Sequence, residues 1–167
     1  MRIFLIGFMA SGKTTVGKKL ANKLELPFID LDRIIEEKYN KTIRTIICGE
    51  GEQTFRTKEK EALAEVIQKN KSAVISTGGG TPIFFDNMDL MNSSGETVYL
   101  ELDVDTLVDR LMNSKEDRPL LWGKNREELT IKAKELLQNR EATYKLAKHK
   151  INGKNIKADS IIDLLKL

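Results

Sequence analysis

The run Gly7-Phe8-Met9-Ala10-Ser11-Gly12-Lys13-Thr14 constrains this chain more than any other feature. It fits G-x-x-x-x-G-K-[ST], and its flanks fit as well: the short apolar run Ile3–Ile6 precedes it and the amphipathic stretch Lys13–Leu24 follows it. Phosphate chemistry demands these residue types at this spacing. The glycines let backbone N–H groups turn inward around phosphate oxygens, and the new helix offers its positive N-terminal end. Lys13 can reach β- and γ-phosphates, and the Thr14 hydroxyl can ligate Mg²⁺. The alternative, an ordinary glycine-bearing strand–helix turn, explains neither the lysine nor the hydroxyl.

Around this motif, short apolar runs alternate with longer amphipathic ones, the pattern of βα units about a parallel sheet. Strands are predicted at Ile3–Ile6, Pro27–Asp30, Ala73–Ser76, Thr97–Leu102 and, more weakly patterned, His149–Asn152. Helices are predicted at Lys13–Leu24, Arg33–Tyr39, Glu52–Lys69, Val104–Asn113, Glu127–Ala147 and Ala158–Leu165. In Glu52–Lys69, Phe55, Leu63, Val66 and Ile67 form an apolar stripe at helical spacing, and Asp103 stands where a helix cap belongs. The fold class is therefore α/β. Its 167 residues suit one P-loop domain spanning 1–167, enough chain to bury a core unaided by disulfides or a structural metal.

Composition excludes several classes. One cysteine, Cys48, permits no internal disulfide, and one histidine, His149, permits no zinc constellation. Cys48 reads as a small buried apolar residue rather than a catalytic thiol, since no histidine lies near it in sequence. A formal charge of +3 is too balanced to imply nucleic acid, and aromatics at 6% leave few stacking platforms. The apolar run after Met1 is too short for a secretory segment, and no run approaches the roughly 20 residues of a membrane span. The expectation is a cytoplasmic, monomeric protein that works on small molecules, with no nucleic-acid or membrane partner.

Two further segments carry candidate chemistry. Phe28-Ile29-Asp30-Leu31-Asp32 ends an extended run with carboxylates at i and i+2, which on a strand would point the same way into the crevice beyond its carboxyl end. One could serve hydrated Mg²⁺ and the other an attacking hydroxyl, while Asp32 could instead simply cap a helix from Arg33. Gly78-Gly79-Gly80, at the top of the run Ala73–Ser76, either brings backbone close to a ligand or turns sharply ahead of Pro82. Arg56, Arg118 and Arg140 suit a bidentate hold on carboxylate or phosphate, though Glu52, Glu59 and Glu141 could equally pair with them at the surface. Lys115–Arg126, polar and bearing Pro119 and Gly123, reads as a lid or as a plain connection.

Taken in order, these motifs resemble those of the shikimate kinase family, a branch of the nucleoside-monophosphate-kinase-like P-loop fold. Gly7–Thr14 is similar to its P-loop, Asp30-Leu31-Asp32 to its D-x-D, and Gly51-Glu52-Gln53-Thr54-Phe55-Arg56 to its G-E-x-x-F-R. Gly78-Gly79-Gly80 resembles its triple-glycine element, Arg118-Pro119-Leu120-Leu121 its lid motif, and Arg140-Glu141-Ala142-Thr143-Tyr144 its R-x-x-x-Y. The match runs from about residue 3 to residue 152 in order and spacing.

The resemblance implies a three-layer α/β/α fold with a five-stranded parallel sheet of order 2-3-1-4-5, a substrate-binding region at about 31–60 and a mobile lid at about 113–126. It implies phosphoryl transfer from ATP to the 3-hydroxyl of shikimate, with Mg²⁺. Ala10, Ser11, Gly12, Lys13, Thr14 and Thr15 would surround ATP together with Arg118, and Arg110 would pack on adenine. Asp32, Arg56, Gly78, Gly79, Gly80 and Arg140 would hold shikimate, the two arginines on its carboxylate and Asp32 on its ring hydroxyls. Thr14, with Asp30 through water, would hold Mg²⁺; Lys13, Asp32 and Arg118 would be the catalytic groups. Two departures stand out. Ala10 occupies a position the family usually gives to glycine, which bears on ATP affinity, and Gly49 and Gly51 about Glu50 suggest a looser approach to the substrate helix.

Other readings are a gluconate or nucleoside monophosphate kinase of the same fold, or a GTP-dependent switch. The arginine pair with D-x-D favours a small hydroxylated carboxylic acid over a nucleotide. A switch would carry N-K-x-D, and both Asn40-Lys41-Thr42-Ile43 and Asn70-Lys71-Ser72-Ala73 lack its aspartate.

Overall fold

Alternation within single strands explains the layering. Strand β1 (Arg2–Ile6) sends Phe4 and Ile6 into one apolar cluster and Ile3 and Leu5 into another, and all four are fully buried. Residues at i and i+2 of a strand share a face, so a strand apolar at every position must be covered on both sides. Each such side chain contributes roughly 1.5–3 kcal/mol on leaving water. Strand β3 (Ala73–Ser76) divides likewise, Ala73 and Ile75 to the first cluster and Val74 to the second, and β4 (Glu96–Glu101) sends Tyr99 one way and Val98 and Leu100 the other.

The computed structural model describes residues 1–115 and 123–167. Beyond β1, the order is α1 (Lys13–Lys23), β2 (Phe28–Asp30), α2 (Leu31–Tyr39), α3 (Ile43–Glu50), α4 (Glu52–Lys69), β3, a 3₁₀ turn (Thr81–Ile83), α5 (Asn87–Ser94) and β4. There follow α6 (Val104–Asn113), α7 (Arg126–Tyr144), β5 (His149–Asn152) and α8 (Ala158–Leu165). Every strand pairing is parallel and the sheet order is β2-β3-β1-β4-β5, the order the resemblance implies. In β1, Leu5 sits opposite Ser76 on one side and Val98 on the other. The connection leaving β1 goes to one side, to β2, and that leaving β3 goes to the other, across β1 to β4, so the crevice at the carboxyl ends of β1 and β3 is the switch point where such sheets bind ligands.

Helix α1 lies close on the sheet because Gly17 faces it. A Cβ there would meet the Phe28 ring at 2.7 Å and Leu5 Cδ1 at 3.0 Å. Asp103 caps α6 as its position suggests, accepting from the Thr106 N–H at 2.8 Å, and that bond holds its carboxyl below the usual range. Asn125 caps α7 in the same way at 2.9 Å.

Five expectations need correcting. Helices α3 and α5 were not anticipated. The first is dense in β-branched residues, which lower helix propensity; it forms because Thr42 caps it (Thr45 N–H to Thr42 Oγ1, 3.1 Å) and because Ile46 is fully buried. The second is rich in Asn and Ser and is held by burial of Met88 and Met91 and by the buried Asn87 amide donating to Thr81 O at 2.9 Å. The approach to α4 is not loose, since α3 runs to Glu50 and Gly51, at φ 90°, turns straight into α4. Cys48 is exposed: the turn of α3 that buries Ile46 points Cys48 outward.

Asp32 is not on a strand. Helix α2 begins at Leu31, and its cap is Asp30, whose Oδ1 accepts from the Arg33 N–H at 3.4 Å. The expected capping role thus belongs to Asp30, and Asp32 lies in the first helical turn.

Candidate active site

The loop between β1 and α1 closes on itself. Gly7 has φ 144°, and a Cβ there would press on Leu100 O at 2.7 Å, so only glycine suits the first turn. Ala10 holds the left-handed conformation at φ 62°, a region that disfavours any residue with a Cβ. Gly12, at φ 92°, opens α1. Lys13 Nζ is buried over the loop and donates to Gly7 O and Phe8 O, both at 2.8 Å. The ammonium therefore rests on backbone carbonyls inside the cradle, within a short side-chain movement of anything seated there.

Beside it, Thr14 Oγ1 donates to Asp30 Oδ2 at 2.9 Å and lies 3.4 Å from Ser76 Oγ. A hydroxyl and a carboxylate are hard oxygen donors of the kind Mg²⁺ accepts, and their adjacency fits an ion held largely by water and phosphate. Asp30 thus serves both the helix cap and this hydroxyl. Ser76, at the end of β3, was not singled out from the sequence; its position beside a triple glycine was the available signal.

The triple glycine is the hub of the site. A Cβ on Gly78 would lie 3.0 Å from Asp32 Oδ1 and 3.3 Å from Glu59 Oε2. On Gly79 it would lie 3.2 Å from Met9 N and 3.4 Å from Arg140 Nη1, and on Gly80 it would collide with the Arg56 guanidinium at 2.5–2.7 Å. Each missing side chain is thus space taken by a different functional group. The turn reading is satisfied too, since Gly80 leads directly into the 3₁₀ turn containing Pro82.

Arg56 and Arg140 are each only 6% exposed, so neither is a solvated arginine on a charged helix. Arg56 Nη1 donates to Glu59 Oε1 at 2.9 Å and Nη2 to Glu52 Oε1 at 3.3 Å. Glu59, fully buried, also accepts from Thr81 Oγ1 at 2.8 Å, tying α4 to the glycine turn. Glu52 and Glu59 are thus partners of Arg56, as local charge allowed, whereas Glu141 pairs with Lys145 at 3.2 Å. Tyr144 donates to Gly79 O at 2.6 Å and stacks on Tyr99 with ring centroids 5.1 Å apart. Burial pushes the Tyr144 phenol up to about 12, an effect Arg140 partly opposes.

Two cavities meet at the loop. The larger, about 840 Å³, is lined by Lys13, Thr14, Asp30, Asp32, Arg56, the three glycines and Arg140. The smaller, about 630 Å³, lies over Ser11, Gly12, Thr15, Arg110 and the segment 155–159. Arg110 borders both and spans them, its Nη1 donating to Ala10 O at 3.2 Å and its Nη2 to Lys154 O at 2.5 Å. Every described residue of the expected site is therefore placed around these two spaces. Arg118 and the part of the expected lid at 116–122 lie outside the described residues.

A phosphate cradle at the head of a parallel sheet, opening on a pocket with buried arginines and an acidic pair, defines a P-loop phosphotransferase. Comparison with known proteins narrows this. The shikimate kinase family model matches residues 9–166. A shikimate kinase of Azobacteroides pseudotrichonymphae genomovar. CFP2 is 49% identical over 164 residues, covering 98% of this chain and 96% of its own. The crystal structure of shikimate kinase from Bacteroides thetaiotaomicron superposes with a TM-score of 0.94 at 41% identity, covering 100% of this chain and 99% of that one. Shikimate kinase from Acinetobacter baumannii in complex with shikimate gives 0.88 at 34% identity over 99% and 90%. The chain belongs to the shikimate kinase family and is an ATP-dependent phosphotransferase.

Proposed function

We infer that this chain transfers the γ-phosphoryl group of ATP to the 3-hydroxyl of shikimate, giving shikimate 3-phosphate and ADP, a step of aromatic amino acid biosynthesis. The observation that carries the reading is the glycine hub, which packs Asp32, Arg140 and Arg56 against one short backbone turn beside the phosphate loop. Arg56 and Arg140 hold the substrate carboxylate and thereby fix the ring. Asp32, against Gly78, takes the ring hydroxyls and orients the attacking oxygen.

The new bond forms between that oxygen and the γ-phosphorus as the bond to the β,γ-bridging oxygen breaks in line. The hydroxyl proton passes late to Asp32 or to water. Lys13 exchanges Gly7 O and Phe8 O for phosphate oxygens, and the charge spread over the transferring group makes positioning and positive field the main catalytic contributions. Thr14 and Asp30, already 2.9 Å apart, would hold Mg²⁺, which when bound neutralises β- and γ-phosphate charge. Arg118 would join the phosphates from the lid, and Arg110 would flank the adenine in the smaller cavity. The protein would work as a cytoplasmic monomer; among the described residues no helix is long and apolar enough to cross a membrane.

A coupled assay of ADP release across shikimate, gluconate and nucleoside monophosphates tests this. Shikimate should be turned over far faster than the others, with no turnover once Mg²⁺ is chelated. Equal or faster turnover of gluconate or a nucleotide would refute the assignment.

A further inference from the structure

Arg56 makes one contact that the acceptor chemistry does not by itself require. Its guanidinium carbon lies 4.2 Å from the centroid of the Phe84 ring, within cation–π distance, with the Phe55 ring at 5.0 Å. We propose that Phe84 is a positioning residue for the acceptor, holding the plane of the Arg56 guanidinium so that its remaining donors meet a substrate carboxylate squarely. The proposal rests on the reading of Arg56 as a carboxylate ligand.

The reasoning starts from what a buried guanidinium needs. Arg56 is nearly sequestered from water, so its charge must be stabilised inside the protein. Glu59 does this at Nη1 and Glu52, more loosely, at Nη2, but each carboxylate occupies a donor that a substrate could use. An aromatic face stabilises the same charge without occupying any N–H. It also fixes what one in-plane bond leaves free, the tilt of the fork about that bond. Bidentate recognition is sensitive to this tilt because both N–H groups must reach both oxygens of one carboxylate. Arg56 Nε is buried with no hydrogen-bond partner among the described residues, so the face contact bears part of that group's stabilisation.

The backbone is shaped to present this ring. Phe85, the next residue, has the left-handed φ of 53°, strained for a side chain of its size. That turn sends Phe84 toward Arg56 and leaves Phe85 exposed, beneath Lys60 Nζ at 5.0 Å. Lys60 also pairs with Asp86 at 2.8 Å, and Asn87 fastens the turn to Thr81 O at 2.9 Å. Helix α4, which carries Arg56 and Lys60, thus grips the 84–87 turn at both ends of one short segment.

The test compares Phe84→Leu with Phe84→Tyr in wild type and in an Arg56→Lys background, by steady-state kinetics and calorimetry. Leucine keeps apolar bulk and loses the π face; tyrosine keeps both. Phe84→Leu should raise the KM and Kd for shikimate roughly 3- to 20-fold, with kcat and the KM for ATP within about two-fold, and Phe84→Tyr should restore affinity. Lysine cannot stack as a planar fork, so in Arg56→Lys the leucine change should add less than about two-fold. Equal behaviour of the leucine and tyrosine variants, or an undiminished leucine effect in Arg56→Lys, overturns the positioning role while leaving the carboxylate reading intact. Unchanged shikimate affinity in Arg56→Lys alone overturns both. Should Phe84→Leu fail to fold, Phe84→Met carries the same comparison.

Discussion

Replacing alanine by glycine usually destabilises a protein, and at residue 10 the opposite is expected. Ala10 sits at φ 62°, where a Cβ crowds its own peptide at a cost of about 1–2 kcal/mol that glycine does not bear. Against this, glycine has more backbone freedom to lose on folding, about 0.4–1 kcal/mol. The balance for Ala10→Gly is a net stabilisation of up to about 1.5 kcal/mol. For a chain of this size each kcal/mol moves the melting temperature by about 2–4 °C, so a rise of up to about 6 °C is expected. Ala10 O holds Arg110 through the carbonyl, not the methyl, so that link survives. The KM for ATP should therefore change by less than about three-fold. Thermal melting and urea unfolding of the same preparations would measure this, with Gly7→Ala as the contrast. There a methyl would meet Leu100 O at 2.7 Å at φ 144°, and marked destabilisation is expected. A fall of 2 °C or more in Ala10→Gly would refute the argument, because it would mean the loop does not store strain at this residue.

Other expectations follow from the site. Asp32→Asn keeps size and hydrogen bonding and should lower kcat about 10²-fold or more by ADP release; near-normal kcat would leave Asp32 a structural residue of α2. Arg140→Ala should weaken shikimate binding about 30- to 1000-fold by calorimetry while nucleotide binding stays, and unchanged affinity would remove it from the carboxylate clamp. Tyr144 has its phenol raised in the folded state, so the unfolded chain ionises first. Its contribution to stability is complete below about pH 10 and lost as pH rises toward 12. Melting temperature should fall across that window and fall less steeply in Tyr144→Phe. Some slope should remain there because burial raises Tyr99 as well. An identical slope in both proteins would show that Tyr144 does not carry the effect.

The sheet was legible because its residues obey one rule at a time. In β1, β3 and β4 the buried positions are apolar apart from Ser76 and Thr97, and a strand of that kind has few places other than the middle of a covered parallel sheet. The phosphate loop was legible because strand, glycines, lysine and helix are contiguous. Helices α3 and α5 were not, since Ile43-Arg44-Thr45-Ile46-Ile47 and Asn92-Ser93-Ser94 argue locally against helix and only tertiary burial outweighs propensity there. Asp32 was assigned the right neighbourhood on the wrong element. The cap at Asp30 starts α2 one residue after the strand, so Asp32 reaches Gly78 from a helical turn. The purpose of three consecutive glycines was out of reach for a related reason. Their partners come from residues 32, 56, 59 and 140, and no spacing within 78–80 records that.

Charge in the acceptor pocket sharpens the choice among substrates. Around the glycine hub two guanidiniums, Arg56 and Arg140, stand with three carboxylates, Asp32, Glu52 and Glu59, while Lys13, Arg33, Arg44, Arg110, Asp30 and Glu36 line the rest of the cavity. Glu59 is fully buried and committed to Arg56 and Thr81, so it cannot be displaced without stranding a charge. Glu52 is the looser partner, 48% exposed at its side chain and 3.3 Å from Nη2, and an incoming carboxylate can take its place. If Arg56 and Arg140 hold the substrate carboxylate, that leaves room for about one negative charge at the arginines, with Asp32 against Gly78 nearby. A monocarboxylate that carries hydroxyls would set its charge at the arginines and its hydroxyls toward Asp32. A phosphate dianion at the arginines would bring a second negative charge toward Asp32, a repulsion that a monocarboxylate avoids. On the reading of Arg56 and Arg140 as carboxylate ligands, the carboxylates beside them would favour a singly charged acid over a dianion.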